Sequence, residues 1–163
     1  TCILFGDGAG AVILEASDEP GVISTHMSSD GRFADVLYLN NSMGSNENAY
    51  LQMEGSSVFR MAVKWLAKIA DEALTANNLT SDDIDWVVPH QANIRIINST
   101  IKSLGIPKDK VIITVDKHAN TSGASIPLAL DEAIREGKIQ RGHKLLLEAF
   151  GGGLTWASAL VRY

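Results

Sequence analysis

The chain has 163 residues, of which 45% are hydrophobic and 20% charged, a composition that suits one soluble globular domain with a sizeable core. Its net charge of −5 argues against general binding to nucleic acid or anionic membrane, both of which need clustered positive charge, and no apolar run approaches the roughly 20 residues of a membrane helix. The single cysteine, Cys2, excludes an intrachain disulfide framework and fits a reducing cytoplasm. Thr1 opens directly onto an apolar segment, with no basic region or cleavage site, so no signal peptide is expected. The missing initiator Met points to a fragment or a processed piece.

Residues 1–16 read as two apolar strand-like runs around a glycine-rich turn, Gly6-Asp7-Gly8-Ala9-Gly10. That run lacks both the dinucleotide spacing and the phosphate-loop lysine, so it is read as structural. Residues 22–28 and 36–40 are candidate short strands, and 40–49 reads as a polar surface loop. Residues 56–76 form the strongest helix, with Val58, Ala62, Trp65, Leu66, Ile69, Ala73 and Leu74 recurring at three and four. Ser56 or Ser57 would cap it, and Asn77-Asn78 would end it. Thr80 and Asp83 have the spacing of a capping box.

A strand, 86–88, then ends at Pro89-His90, and 92–104 is helical with Ile94, Ile97, Ile101 and Leu104 in register. The β-branched run 110–115 predicts a strand, 116–121 a loop, and 123–136 a helix with Pro127 in its first turn and Gly137 at its end. Residues 144–149 and 154–162 predict two strands joined by Gly151-Gly152-Gly153. Alternation of strands and helices predicts an α/β fold layered around a mixed sheet. In such sheets ligands sit beyond the carboxyl ends of the strands, where His90, the loop around Asn120 and the triple glycine all fall.

A neutral His90 could donate a ring N–H to a carbonyl oxygen, and it could equally be a satisfied structural histidine. The Asn120 amide could be a second donor of the oxyanion-hole kind, although Asn-Thr-Ser before a helix most often forms a cap. Gly151–Gly153 leave backbone N–H groups accessible to a ligand, or simply form a turn. Cys2 lies in an apolar run with no positive partner nearby in sequence and reads as an inert thiol. Arg60, Lys64 and Lys68 share one helix face, with Arg95 and Lys102 on the next helix; the face is either merely solvated or a dock for an acidic partner. No Cys/His/Asp cluster has metal-ligand spacing.

Three local patterns, in order, carry a resemblance: Val87-Val88-Pro89-His90-Gln91-Ala92-Asn93, Lys117-His118-Ala119-Asn120-Thr121-Ser122, and Glu148-Ala149-Phe150-Gly151-Gly152-Gly153-Leu154-Thr155-Trp156. Together with Leu4–Ala11 they resemble the β-ketoacyl-[acyl-carrier-protein] synthase III enzymes that start bacterial type II fatty-acid synthesis. The resemblance covers essentially the whole chain. It implies a thiolase-like fold, with this chain supplying a mixed five-stranded sheet layered with helices, one half of an α-β-α-β-α architecture. Residues 1–30 would be the tail of the N-terminal half, and 31–163 the C-terminal half.

The resemblance also implies roles. His90 and Asn120 would hold the malonyl thioester carbonyl during decarboxylation, and the Gly152 N–H would help form the acyl-transfer oxyanion hole. Gly55, Phe59, Asn93 and Phe150 would line the substrate and CoA path. Arg95, with Arg60 and Lys102, would meet the acyl carrier protein. The substrates would be acetyl-CoA and malonyl-acyl-carrier protein, with no cofactor beyond CoA thioesters and no metal. The full-length enzyme would be a cytoplasmic homodimer that contacts neither nucleic acid nor membrane. The family's nucleophilic cysteine lies upstream of every residue here and Cys2 matches a structural position, so the chain alone is expected to be catalytically incomplete. Two other readings are a non-catalytic carrier-protein or CoA-binding module and a different thiolase-fold acyltransferase. The second is disfavoured because elongating synthases use two histidines, and chalcone-synthase-like enzymes surround theirs with Pro-Gly-Gly.

Overall fold

The computed structural model describes residues 3–40 and 49–163. Cys2, and positions 41–48 of the expected polar loop, lie outside the described residues. Six strands and four helices follow in chain order: β1 Val22–Ser29, β2 Leu37–Leu39, β3 Leu51–Met53, α1 Gly55–Ala76, β4 Trp86–Pro89, α2 Ile94–Leu104, α3 Val115–His118, α4 Ser125–Arg135, β5 Lys144–Gly151 and β6 Thr155–Arg162. A main sheet has the order β1-β6-β5-β4. β4 runs parallel to β5, whereas β6 is antiparallel to both β5 and β1. The sheet is therefore mixed, with β1 in the same sheet as the rest of the chain. β2 and β3 form a separate antiparallel pair, Leu37 opposite Met53, and β3 was not anticipated from the sequence.

Period-2 alternation sends neighbouring strand residues to opposite faces. Val87, Leu146 and Leu160 pack on one face with Ala70, Ala73 and Leu74 of α1 and Ile97 and Ile101 of α2. Val88 and Leu145 pack on the other face with Ala129 and Ala133 of α4. The result is an α/β/α sandwich with two buried cores. Ile69 is completely buried against Leu154 and Trp156. At Trp156 the indole stacks on Trp65, with ring centroids 4.4 Å apart.

The α1 period holds, but its cap differs from expectation. Glu54 occupies the N-cap position, and Ser57 Oγ donates to Glu54 Oε1 at 2.9 Å. Asn77 ends the helix with its N–H on the Leu74 carbonyl, and its side-chain amide reaches Ser24 of β1 at 2.7 Å. The Thr80–Asp83 box is present, with Thr80 N–H and Oγ both donating to the Asp83 carboxylate. In α2 the inward face is Ile96, Ile97, Thr100 and Ile101, and Ile94 at the helix start is exposed.

Two expected strands are reduced to single bridges. Val111 pairs with Val87 where the fifth strand was expected, so the main sheet has four full strands and one bridging residue. The cause is Gln91, whose Oε1 accepts the N–H groups of Thr114 and Val115 at 2.8 and 3.1 Å. Those donors are thereby withdrawn from any sheet ladder, and the chain turns into α3. The run 3–20 contributes one bridge, Phe5 to Asn120, and leaves Ile3 and Ile13 at 90% and 94% exposure. Its glycines form no turn; they let the backbone lie flat on 118–127. A Cβ at Gly6 would come within 2.5 Å of the His118 carbonyl oxygen, and one at Gly10 within 2.3 Å of Pro127 Cβ.

Candidate active site

Beyond the carboxyl ends of β4 and β5, a cavity of about 580 Å³ is lined by His90, Asn93, Asn120, Phe150 and Gly152, with apolar walls from Leu37, Val58, Ala62 and Ile96 among others. Of the expected site residues, the structure brings these five together. Gly55 and Phe59 lie on the first turns of α1, outside the cavity wall.

His90 leaves β4 with its N–H on the Glu148 carbonyl at 2.7 Å, which fixes the backbone at the strand end. Its Nδ1 lies 2.6 Å from Ser125 Oγ, leaving Nε2 as the ring nitrogen for a ligand. Burial holds the His90 pKa below the ordinary imidazole value, so the ring is neutral at pH 7.

Asn120 is clamped through its backbone to residues 4–6: its N–H donates to the Leu4 carbonyl, and its own carbonyl accepts from the Gly6 N–H, both at 3.0 Å. Its side-chain Oδ1 accepts from the Ser122 N–H at 2.9 Å, as expected of an Asx turn. The local turn therefore exists and still leaves the Nδ2 donors without a partner among the described residues. Ala119 and Ser122, on either side, both have left-handed φ, +58° and +52°. Asn93 caps α2, its Oδ1 accepting from the Ile96 N–H at 3.0 Å, and still faces the cavity.

Gly152 is exposed, and its Cα passes so close to β2 that a Cβ would lie 3.1 Å from the Leu37 carbonyl oxygen. A side chain there would press on β2 at the cavity wall. Arg60, Arg95 and Lys102 are all exposed and sit on α1 and α2, which pack side by side. The Arg95 guanidinium lies 5.8 Å from the Phe59 ring centre, and Arg60 Nη2 donates to Ser57 Oγ at 3.0 Å.

Three groups at the site were not singled out by the sequence. Ser125 is 2% exposed and touches His90 from α4. Gln91 is 1% exposed and uses all of its amide capacity: Nε2 donates to the Pro89 and Ile112 carbonyls, and Oε1 accepts twice. Glu148 is 1% exposed, and neither carboxylate oxygen has a hydrogen-bond partner among the described residues. Burial alone raises its pKa to about 7. For Gln91 a signal existed, since a polar residue directly after a buried strand must find partners. Glu148 and Ser125 carried none.

Comparison with known proteins places this geometry in a family. Residues 74–163 match the model described as "3-Oxoacyl-[acyl-carrier-protein (ACP)] synthase III C terminal", and residues 1–31 match "3-Oxoacyl-[acyl-carrier-protein (ACP)] synthase III". The whole chain is 58% identical to a β-ketoacyl-[acyl-carrier-protein] synthase III of Methylococcus capsulatus, covering 52% of that protein. It superposes on the 3-oxoacyl-[acyl-carrier-protein] synthase III of Aquifex aeolicus with a TM-score of 0.93 at 42% identity, over all of this chain and 51% of that one. For the Thermus thermophilus synthase III the TM-score is 0.84 at 40% identity, over 91% and 48% of the two chains. The chain spans about half the length of the curated relatives it matches. No helix among the described residues is long and apolar enough to cross a membrane. On the family match over 74–163 and the thiolase-like sandwich that carries it, the chain belongs to the 3-oxoacyl-[acyl-carrier-protein] synthase III family.

Proposed function

We propose that this chain is the C-terminal part of a cytoplasmic, homodimeric condensing enzyme that joins acetyl-CoA to malonyl-acyl-carrier protein, giving acetoacetyl-acyl-carrier protein, CO2 and CoA. The observation that carries the reading is the pairing of His90 and Asn120 in one cavity. Each has one polar atom already engaged, Nδ1 on Ser125 and Oδ1 on the Ser122 N–H, leaving Nε2 and Nδ2 for the substrate.

In the decarboxylation step the bond between the malonyl carboxylate and its methylene carbon breaks. CO2 departs, and the electron pair moves through the methylene carbon onto the thioester oxygen as an enolate. His90 Nε2–H and Asn120 Nδ2–H donate to that oxygen, and a neutral, partly buried imidazole suits the donor role. The nucleophilic carbon then attacks the carbonyl of an acetyl thioester on a cysteine supplied by the N-terminal half, which took its acetyl group from acetyl-CoA with release of CoA. The Gly152 N–H helps hold the oxyanion formed there, which collapses as the carbon–sulfur bond breaks and the cysteine leaves as thiolate. Apolar walls exclude water that would protonate the enolate. Asn93 and Phe150 guide the thioester arm within the cavity, Gly55 and Phe59 would meet it only outside the cavity wall, and the exposed Arg60, Arg95 and Lys102 meet the acidic carrier. The residues require no cofactor other than the CoA thioesters themselves.

The test is made in the full-length synthase carrying these residues. His90→Ala and Asn120→Ala should each lower malonyl decarboxylation by roughly 10²–10³-fold, the usual loss for one oxyanion donor. Acetylation of the cysteine, read by mass spectrometry, should persist in both. Loss of acetylation with decarboxylation intact would reverse the assigned roles.

A further inference from the structure

His90 can act as a donor toward the cavity only if its proton sits on Nε2, and a neutral imidazole can carry it on either nitrogen. We propose that Ser125 is a positioning residue that fixes the His90 tautomer, holding the proton on Nε2 so that the ring presents a donor to the substrate oxygen. The inference rests on the donor reading of His90 given above, and it adds a residue and a physical reason to it.

Ser125 Oγ accepts the Gln91 N–H at 3.2 Å and lies 2.6 Å from His90 Nδ1. Among the described residues it has no third partner. If Nδ1 carried the proton, Oγ would accept twice, and its own hydroxyl proton would have no acceptor on a side chain that is 2% exposed. A buried donor left unmade is strongly disfavoured. When Oγ–H donates to Nδ1 instead, both bonds are made, no buried donor is left over, and the ring proton is placed on Nε2.

The geometry is held rigidly from both sides. Ser125 is the first residue of α4, whose Ala129 and Ala133 are buried against the sheet. Gln91, which supplies the competing N–H, is pinned by four hydrogen bonds of its side chain. The hydroxyl therefore meets Nδ1 at the end of two fixed elements, and His90 Nδ1 is kept from meeting solvent or substrate.

The test is long-range 1H–15N NMR of the chain labelled with 15N-histidine, without substrate, with His90 assigned by its loss in His90→Gln. Above the ring's titration the Nε2–H form should exceed Nδ1–H by at least about tenfold. Ser125→Ala should bring the Nδ1–H form to a measurable share, and Ser125→Thr, which keeps the hydroxyl, should restore the single tautomer. If Ser125→Ala does not fold, Ser125→Cys, a much weaker donor of similar size, takes its place. A dominant Nδ1–H form in the unaltered chain overturns the proposal, and so does an Nε2–H preference that the Ala or Cys substitution leaves unchanged. Because the readout needs no thioester, the two failures are distinguishable: an Nε2–H preference that survives the Ser125 substitutions removes only the role of Ser125, a dominant Nδ1–H form also removes His90 as the Nε2 donor, and intact decarboxylation in His90→Ala removes the donor reading whatever the tautomer.

Discussion

Glu148 should make this chain less stable as the pH rises through neutrality, and replacing it with Gln should remove that dependence. The carboxyl is 1% exposed, neither oxygen has a partner among the described residues, and burial raises its pKa from 4.5 to about 7. An acid whose folded pKa is raised binds more protons folded than unfolded. The stability it permits is fully present below pH 4.5 and is lost as pH rises through 7. At 1.36 kcal/mol per pH unit the loss is about 3 kcal/mol, a large share of the usual 5–15 kcal/mol of a domain. His90 acts with the opposite sign: its folded pKa is lowered, so it favours the folded state as pH rises toward the ordinary imidazole value. The difference between the unaltered chain and Glu148→Gln cancels His90. Gln keeps the volume and neutrality of the protonated acid. Urea unfolding followed by Trp fluorescence at pH 5, 6, 7 and 8 should give similar stabilities at pH 5, with Gln ahead by up to about 3 kcal/mol at pH 8. A difference that does not change with pH would show that Glu148 is solvated or paired, and the reasoning would fail.

Ala119 has φ +58° and ψ −160°, a region that disfavours any residue with a Cβ. Ala119→Gly should stabilise the chain by about 0.5–1 kcal/mol, strain relief outweighing the entropy glycine adds to the unfolded state, as measured by chemical denaturation. Charge reversal of the exposed pair, Arg95→Glu with Arg60→Glu, should weaken carrier-protein binding in the full-length synthase at least tenfold, and more so at low salt. His90→Ala should leave that binding unchanged in the same titration calorimetry.

Local features were legible in the sequence. The α1 period, the Thr80–Asp83 box, the Asn77 stop, Pro127 in the first turn of α4 and the hairpin after β5 all depend on bonds within a few residues. The family resemblance, carried by three ordered patterns, implies the same fold, and it is the resemblance that gives His90 and Asn120 their expected roles. The runs expected as strands at 1–16 and 110–115 form no ladder among the described residues, because strand propensity creates no strand without a neighbour. Only Phe5 and Val111 found one, and Gln91 took the donors of Thr114 and Val115.

What the sequence determined by itself is the order of elements, their polarity and the residue types that can do chemistry, because those follow from periodicity and capping along the chain. What only the tertiary structure decided is which atoms are spent and which are free. Ser125 meets His90 across 35 positions, and Gln91 closes the gap between β4 and the 112–115 run. Glu148 on β5 loses its water with no hydrogen-bond partner in return among the described residues. Burial and hydrogen-bond satisfaction are properties of the packed whole, so the ring nitrogen that carries the proton and the carboxyl that titrates near neutrality are set there.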